Sequence, residues 1–392
     1  DVPNNRWTVD RAAGAAGATV AGGMGGALKS PALAGSTTSG SAKVAGNIIW
    51  WKFNASTYDI TTTTANVSGG RVDMNAANLR VEGYETTRGD LSTNMPTLKA
   101  TVNTMTMFNT ASGSGVFGNF ILDRGTATGI LPMATGSGTT THRVKAISPN
   151  STAGFSCGSG SILLLCQSSG GTVPGFRMNG STLKACVVEA PSTFGFEAAA
   201  SHNTCIDCIC DSTTGSNAGF ANNGATSRLW CINCTSFGHA GAAGHGFSNA
   251  GQAHSLVQIN CLADSNGGSG IGGSNASHAF NCAARNNTTN FGVNAVQFGS
   301  VALTVDPLTN SAADDFSLNN TSGGGAALRG AGIPGAFPDI ISTTGFINIG
   351  AVQHEAAAAA APAAVVNSVN ILLALPRLDV DNPPIFLSSL LP

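Results

Sequence analysis

The sequence predicts an all-β solenoid, a chain wound into stacked coils of short strands. Two repeating markers predict it, and the composition agrees. The first marker is a cysteine with an apolar residue two places before it and Asp or Asn directly before it: Ile206-Asp207-Cys208, Ile232-Asn233-Cys234, Ile259-Asn260-Cys261 and Phe280-Asn281-Cys282. With Cys186 ahead of them, these cysteines step by 22, 26, 27 and 21 residues. The second marker is Gly followed by an apolar residue, at Gly154, Gly175, Gly195, Gly219, Gly246, Gly270 and Gly292. Its steps, 21, 20, 24, 27, 24 and 22, follow the same irregular period. A period in the low to middle twenties belongs to solenoids. The regular signature of leucine-rich repeats is missing, and runs such as "SLVQINCLA" alternate as strands do.

Gly supplies 51 of the 392 residues and only 10% are charged, which suits many short strands joined by turns. A hydrophobic content of 42% is too high for a disordered chain of low charge. The net charge of -2 offers no basic footprint, so no nucleic-acid partner is expected. Nothing in the sequence calls for a cofactor.

The elements follow in order. Residues 1–50 are read as a cap with the first strands, and no signal peptide is visible from Asp1. Residues 51–353 are read as the solenoid. Parallel strands stack about 4.8 Å apart, so equivalent side chains form ladders. Ile206, Cys208, Ile232, Cys234, Ile259, Cys261, Phe280 and Cys282 are expected in one dry inner column, with Cys as a compact hydrophobe. The Asn column is expected to form an amide ladder. The pairs "CIDC" and "CINC" raise the alternative of a zinc site. Residues three apart on a strand point to opposite faces, so Cys205 is expected to face away from Cys208, and no metal is expected. In-register Cβ atoms sit slightly beyond disulfide geometry. Ten thiols kept reduced suggest folding in a reducing compartment.

Residues 354–392 differ from all that precedes them. They are apolar and carry no turn clusters. Val365, Val366, Ile371, Leu372, Ile385, Phe386 and Leu387 are read as an assembly arm that docks on another subunit or caps the solenoid end. The stretch 356–375 contains Pro362, Asn367 and Asn370 and is half alanine, a weak apolar signal for a membrane span, so none is expected.

Three phrases carry a family resemblance: "RWTVDRAAGAAG" with "ALKSPALAG" near the start, "LRVEGYETTRGDLSTNMPTLKA" at 79–100, and "GFINIGAVQHE" at 345–355. With the ladder, they make residues 6–353 resemble a right-handed parallel β-helix of the pectate-lyase-like superfamily. That resemblance implies the fold. It leaves function open, because one fold hosts many functions. Its members include polysaccharide lyases and hydrolases, phage tailspikes and fibres, and other surface proteins.

The hydrolases of this resemblance imply clustered Asp carboxylates, a G-H-G histidine and an R-x-K pair. The chain has Gly244-His245-Gly246 and Asp207, but no second Asp is stacked beside Asp207 and no R-x-K follows. Asp314-Asp315 lies far downstream. The lyases imply a calcium site, for which Asp207, Asp211 and Asp264 are the candidates, yet calcium needs six or more oxygen ligands. Asp207 and His245 are therefore the weak catalytic candidates, and no catalysis is expected. His202, His239, His245, His254 and His278 are read as scattered loop histidines. Arg88-Gly89-Asp90 is read as a tight turn. Trp50 and Trp51 face opposite ways, so one at most offers a sugar platform. The expected function is a structural virion or surface protein: a phage spike, fibre or capsid-decorating protein acting in an oligomer, at a virion or extracellular surface. Its partners would be its own copies, other structural proteins, or cell-surface glycan. The alternative is a secreted polysaccharide lyase or glycoside hydrolase.

Overall fold

The computed structural model describes residues 48–353 apart from 54–56, 66–69, 75–77, 88–89, 91–93, 111–114, 212–216, 252–254 and 334–346. The expected cap is thus outside the described residues up to 47, as is the whole arm, including Val365, Val366, Ile371, Leu372, Ile385, Phe386 and Leu387.

The chain is an all-β parallel β-helix. Each coil contributes a leading strand, a trailing strand and a strand of a third sheet. Leading and trailing strands form one continuous 20-stranded surface folded around a corner, and an 11-stranded sheet closes the coil. Pairing within the coils is parallel and in register: Cys205 lies beside Cys231, and Phe196 beside Phe220.

The corner between leading and trailing strands is made by one residue in the left-handed region. Leu165, Ala185, Asp207, Asn233, Asn260 and Asn281 have φ of 53°, 49°, 53°, 52°, 53° and 48°. Asp and Asn enter this region at least cost among residues with a Cβ. Three of them form the expected ladder: Asn233 Nδ2 donates to Asp207 Oδ1 at 3.1 Å and Asn260 Nδ2 to Asn233 Oδ1 at 3.2 Å, whereas Asn281 Nδ2 donates to Ala331 O at 2.7 Å.

This corner corrects the expected inner column. A left-handed residue breaks the alternation of a strand, so the residues on either side of it face the same way. Cys205 and Cys208 both point into the coil, as do Cys231 and Cys234, and all four are fully buried. Ile206, Ile232, Ile259 and Phe280 lie on the outer face instead, alternating with the buried Cys205, Cys231, Gln258 and Ala279. Cys208, Cys234, Cys261 and Cys282 are fully buried in the interior, in a column that also takes in Cys166 and Cys186.

Gly-Phe marks the third sheet. Phe155, Phe176, Phe196, Phe220 and Phe247 stack face to face, with centroids 4.7, 5.1, 4.7 and 4.9 Å apart and ring planes within 10°. The glycine before each ring makes room for the trailing strand: a Cβ on Gly195 would lie 2.1 Å from Cys210 Sγ. The last marker is displaced by two residues. Phe291 takes the place above Ile271, and Val293 is fully exposed.

The coils run from Ile48 to Ala302. Residues 303–333 and 347–353, expected to continue them, fold back along the outer face of the trailing strands. An antiparallel pair, Leu308–Asn310 with Asp315–Leu318, and a short helix, Gly325–Leu328, form this return. Leu308, Phe316, Leu328 and Ile349 pack on Ile209, Leu262 and Ala283 as a second core. Arg285 fastens the return to the coils. It holds the buried Asp264 through Nε at 2.8 Å and Nη2 at 3.0 Å, and reaches Asp306 at 3.3 Å. Among the described residues no helix is long and apolar enough to cross a membrane.

Candidate functional site

Asp207 and His245 occupy different corners of the coil. Asp207 heads the amide ladder, where burial pushes its carboxyl up to about 7 against the Asn233 hydrogen bond. His245 lies in the Gly-rich loop before Phe247. Its Nδ1 accepts the Ser269 N–H at 2.9 Å, and burial pulls the ring below its ordinary value. No hydrogen bond joins the two, so they do not form an acid–base pair. Asp207, Asp211 and Asp264 do not converge either. Asp264 belongs to Arg285, and Asp211 faces the C-terminal return.

The two C-x-x-C motifs bring four thiols together inside the solenoid. Cys205 contacts Cys208 in its own coil and Cys231 in the next. Cys234 contacts Cys208 and Cys231. The corner thiols also donate to backbone: Cys208 Sγ to Ile206 O at 3.3 Å and Cys234 Sγ to Ile232 O at 3.4 Å. Burial holds the Cys186, Cys210, Cys234 and Cys282 thiols well above the ordinary range. Among the described residues, no three His, Cys, Asp or Glu side chains are arranged to hold a metal ion. All ten cysteines are free and buried, and thiols so placed are inert.

Two polar clusters escaped sequence reasoning. In the first, Asp211 meets Asp314 of the return, with Glu189 one coil away. Burial, then Asp314, then Glu189 push the Asp211 carboxyl up to about 7. Asp314 sits in the left-handed region at φ 58°, turning back from the short 3-10 turn before it. No sequence signal joins these carboxylates, because the return is a tertiary feature.

In the second cluster, the buried Glu82 accepts from His142 Nε2 at 2.8 Å, Arg80 Nε at 3.2 Å and Asn119 Nδ2 at 3.1 Å. The ring nitrogen facing this carboxylate carries the proton. His142 reaches Glu82 across an intervening coil, because Gly118 lies between them. A Cβ on Gly118 would fall 2.2 Å from the ring. Arg80 also lies over Trp50, 6.0 Å from its centroid, whereas Trp51 is buried against Phe108 and Phe120. With both carboxylate oxygens occupied, the cluster braces three coils.

The outer face of the leading strands carries a different feature. Trp230, Val257, His278 and Val296 form one column in register. Ile232, Ile259, Phe280 and Phe298 form the next. Phe280 and Phe298 stack at 4.8 Å, and Trp230 and Phe298 are 51% and 49% exposed. Toward the N-terminus the same columns turn to Thr204 and Thr182, and to Ile206 and Lys184. The exposed apolar residues of this grid, Trp230, Val296 and Phe298, thus lie within the last four coils, about 15 Å along the axis. The grid ends at a terminal coil whose Val293 and Val301 are also exposed.

The sequence matches no protein-family model and no curated protein. Among solved structures, the chain is similar to one described as the crystal structure of pectate lyase Pel9A. The identity is 12% and the TM-score 0.41, over 79% of this chain and 88% of that one. The stacked coils, the corner residues and the parallel pairing of every coil make this chain a parallel β-helix. That statement concerns fold alone.

Proposed function

We propose that the chain is a structural subunit that self-associates through the apolar grid and terminal coil. It would act at a virion or extracellular surface, as spikes and fibres do. The grid is the observation that carries this reading. Eight in-register residues, seven of them apolar, lie on the outer face of four adjacent coils. Trp230, Val296 and Phe298 are exposed, Val257, Ile259 and Phe280 are half-buried and Ile232 is buried, and an apolar patch with exposed rings of this kind marks an interaction site. A second copy is the occupant this reading commits to, because the grid adjoins a terminal coil whose strand edges are unpaired among the described residues, and open edges favour pairing with another chain. The arm at 354–392 would add to the same contact.

Sedimentation velocity of the wild type and of a Trp230→Glu/Phe298→Glu variant tests this. Both rings are exposed, so the fold, checked by circular dichroism, is expected to persist. The wild type is expected to sediment as an oligomer and the variant as a monomer. A monomeric wild type at tens of micromolar, or a variant that associates equally well, would remove the proposal.

A polysaccharide hydrolase has one observation in its favour, the raised Asp211 carboxyl beside Asp314. Its geometry is against it. The two carboxyls interact directly, whereas glycosidases hold theirs about 5 Å or more apart.

A further inference from the structure

We propose that a groove on the corner between the trailing strands and the third sheet, with Arg124 at one end, binds an oxyanion. The groove has a volume of about 310 Å³ and spans successive coils through Arg124, Ser148, Asn150, Thr172 and Ser192. That volume is at the lower end for a small-ligand pocket.

Its floor is rigid. Thr172 N–H donates to Pro149 O at 3.0 Å, and Ser192 N–H and Oγ both donate to Gly171 O, at 3.1 and 3.0 Å. Gly171 has φ 110°, and a Cβ there would lie 2.5 Å from Pro149 O, so the coils approach too closely for any other residue. Asn150 is spent on the fold: its Oδ1 accepts the Ile130 N–H at 2.9 Å and its Nδ2 donates to Ala127 O at 3.3 Å.

The groove's remaining polar groups have less to do. Arg124 is the one charged residue in the lining. Its Nη1 makes a long bond to Ala127 O at 3.4 Å, and its shielded Nε has no partner among the described residues. The neighbouring Asp123 carboxylate is turned to Gly125 N–H at 2.8 Å. The Ser148 and Thr172 hydroxyls make no hydrogen bond within the described residues. A guanidinium fork without a carboxylate, beside two unused hydroxyls, matches the donors a sulfate, phosphate or carboxylate group requires. Such a group could be a free ion or be carried on a saccharide; the shared chemistry is the oxyanion.

The test is isothermal titration at constant ionic strength with sodium sulfate, a sulfated dextran oligosaccharide and a neutral dextran oligosaccharide. The proteins are the wild type, Arg124→Gln and Thr172→Val, each checked for fold by circular dichroism. Thr172→Val keeps the side-chain shape and leaves Arg124 in place. The wild type is expected to bind sulfate, the sulfated saccharide or both. Affinity should fall about tenfold or more in Arg124→Gln and by less in Thr172→Val. Tighter binding of the sulfated saccharide than of sulfate identifies a carbohydrate-borne group, and equal binding identifies a free anion. No binding of either anion overturns the site. So does unchanged binding in Arg124→Gln, or equal binding of the neutral saccharide.

Discussion

The phenylalanine stack offers an internal comparison of burial against ring contact. Phe196 lies between Phe176 at 5.1 Å and Phe220 at 4.7 Å and is fully buried. Truncation to Ala removes a buried ring, which costs about 3–5 kcal/mol with its cavity. Two ring contacts of about 0.5–1.5 kcal/mol each overlap that figure, so about 5 kcal/mol is expected. Phe298 stacks on Phe280 at 4.8 Å and 9°, nearly the same geometry, but is 49% exposed and has a ring on one side only. Its truncation is expected to cost about 1 kcal/mol. Equilibrium urea unfolding followed by circular dichroism measures both, on protein dilute enough to be monomeric. If the two variants lie within about 1 kcal/mol of each other, ring stacking along the outside stabilises as much as burial inside. The account of the interior would then be wrong.

Three further outcomes follow from the same contacts. Asp211 keeps its proton in the folded chain up to about 7 but releases it near 3.8 when unfolded, so its contribution to stability falls as pH rises between those values. Asp211→Asn should therefore raise the melting temperature at pH 8 far more than at pH 4, and an equal effect at both would contradict the shift. Gly195→Ala forces a Cβ to within 2.1 Å of Cys210 Sγ and should cost about 1–3 kcal/mol or more in urea unfolding, with partial recovery in the Gly195→Ala/Cys210→Gly double variant. A thiol reagent such as dithionitrobenzoate should modify none of the ten cysteines in the folded chain and all of them in guanidinium, and rapid labelling of folded protein would place thiols at the surface.

The repeat was legible because two of its requirements leave marks in sequence. Left-handed corners favour Asn and Asp, which made Asp207, Asn233, Asn260 and Asn281 visible. Close approach of the trailing strand demands Gly before Phe. Where other residues take the same corner, as at Leu165 and Ala185, the Asn or Asp mark vanishes, and only the Gly-Phe marker at Gly154 and Gly175 shows the Cys166 coil. The corner also explains the misplaced isoleucines. Strict alternation carried Ile206 inward and Cys205 outward, and one positive φ reverses that assignment. The return that begins at residue 303 leaves no local trace, since Asp314 meets Asp211 only after a long excursion of the chain. The polar clusters around Glu82 and Arg124 are equally silent, because each is assembled from several coils.

The one-residue corner has a consequence for descent. Apart from the Glu82–His142 link and the return, every described coil engages only the coils beside it and begins and ends at the same point of the circuit. A whole winding can therefore be duplicated or lost by unequal recombination without disturbing those beyond its neighbours. Homologues should differ in length by complete windings, with Arg285 and Asp306 still clasped at the final one.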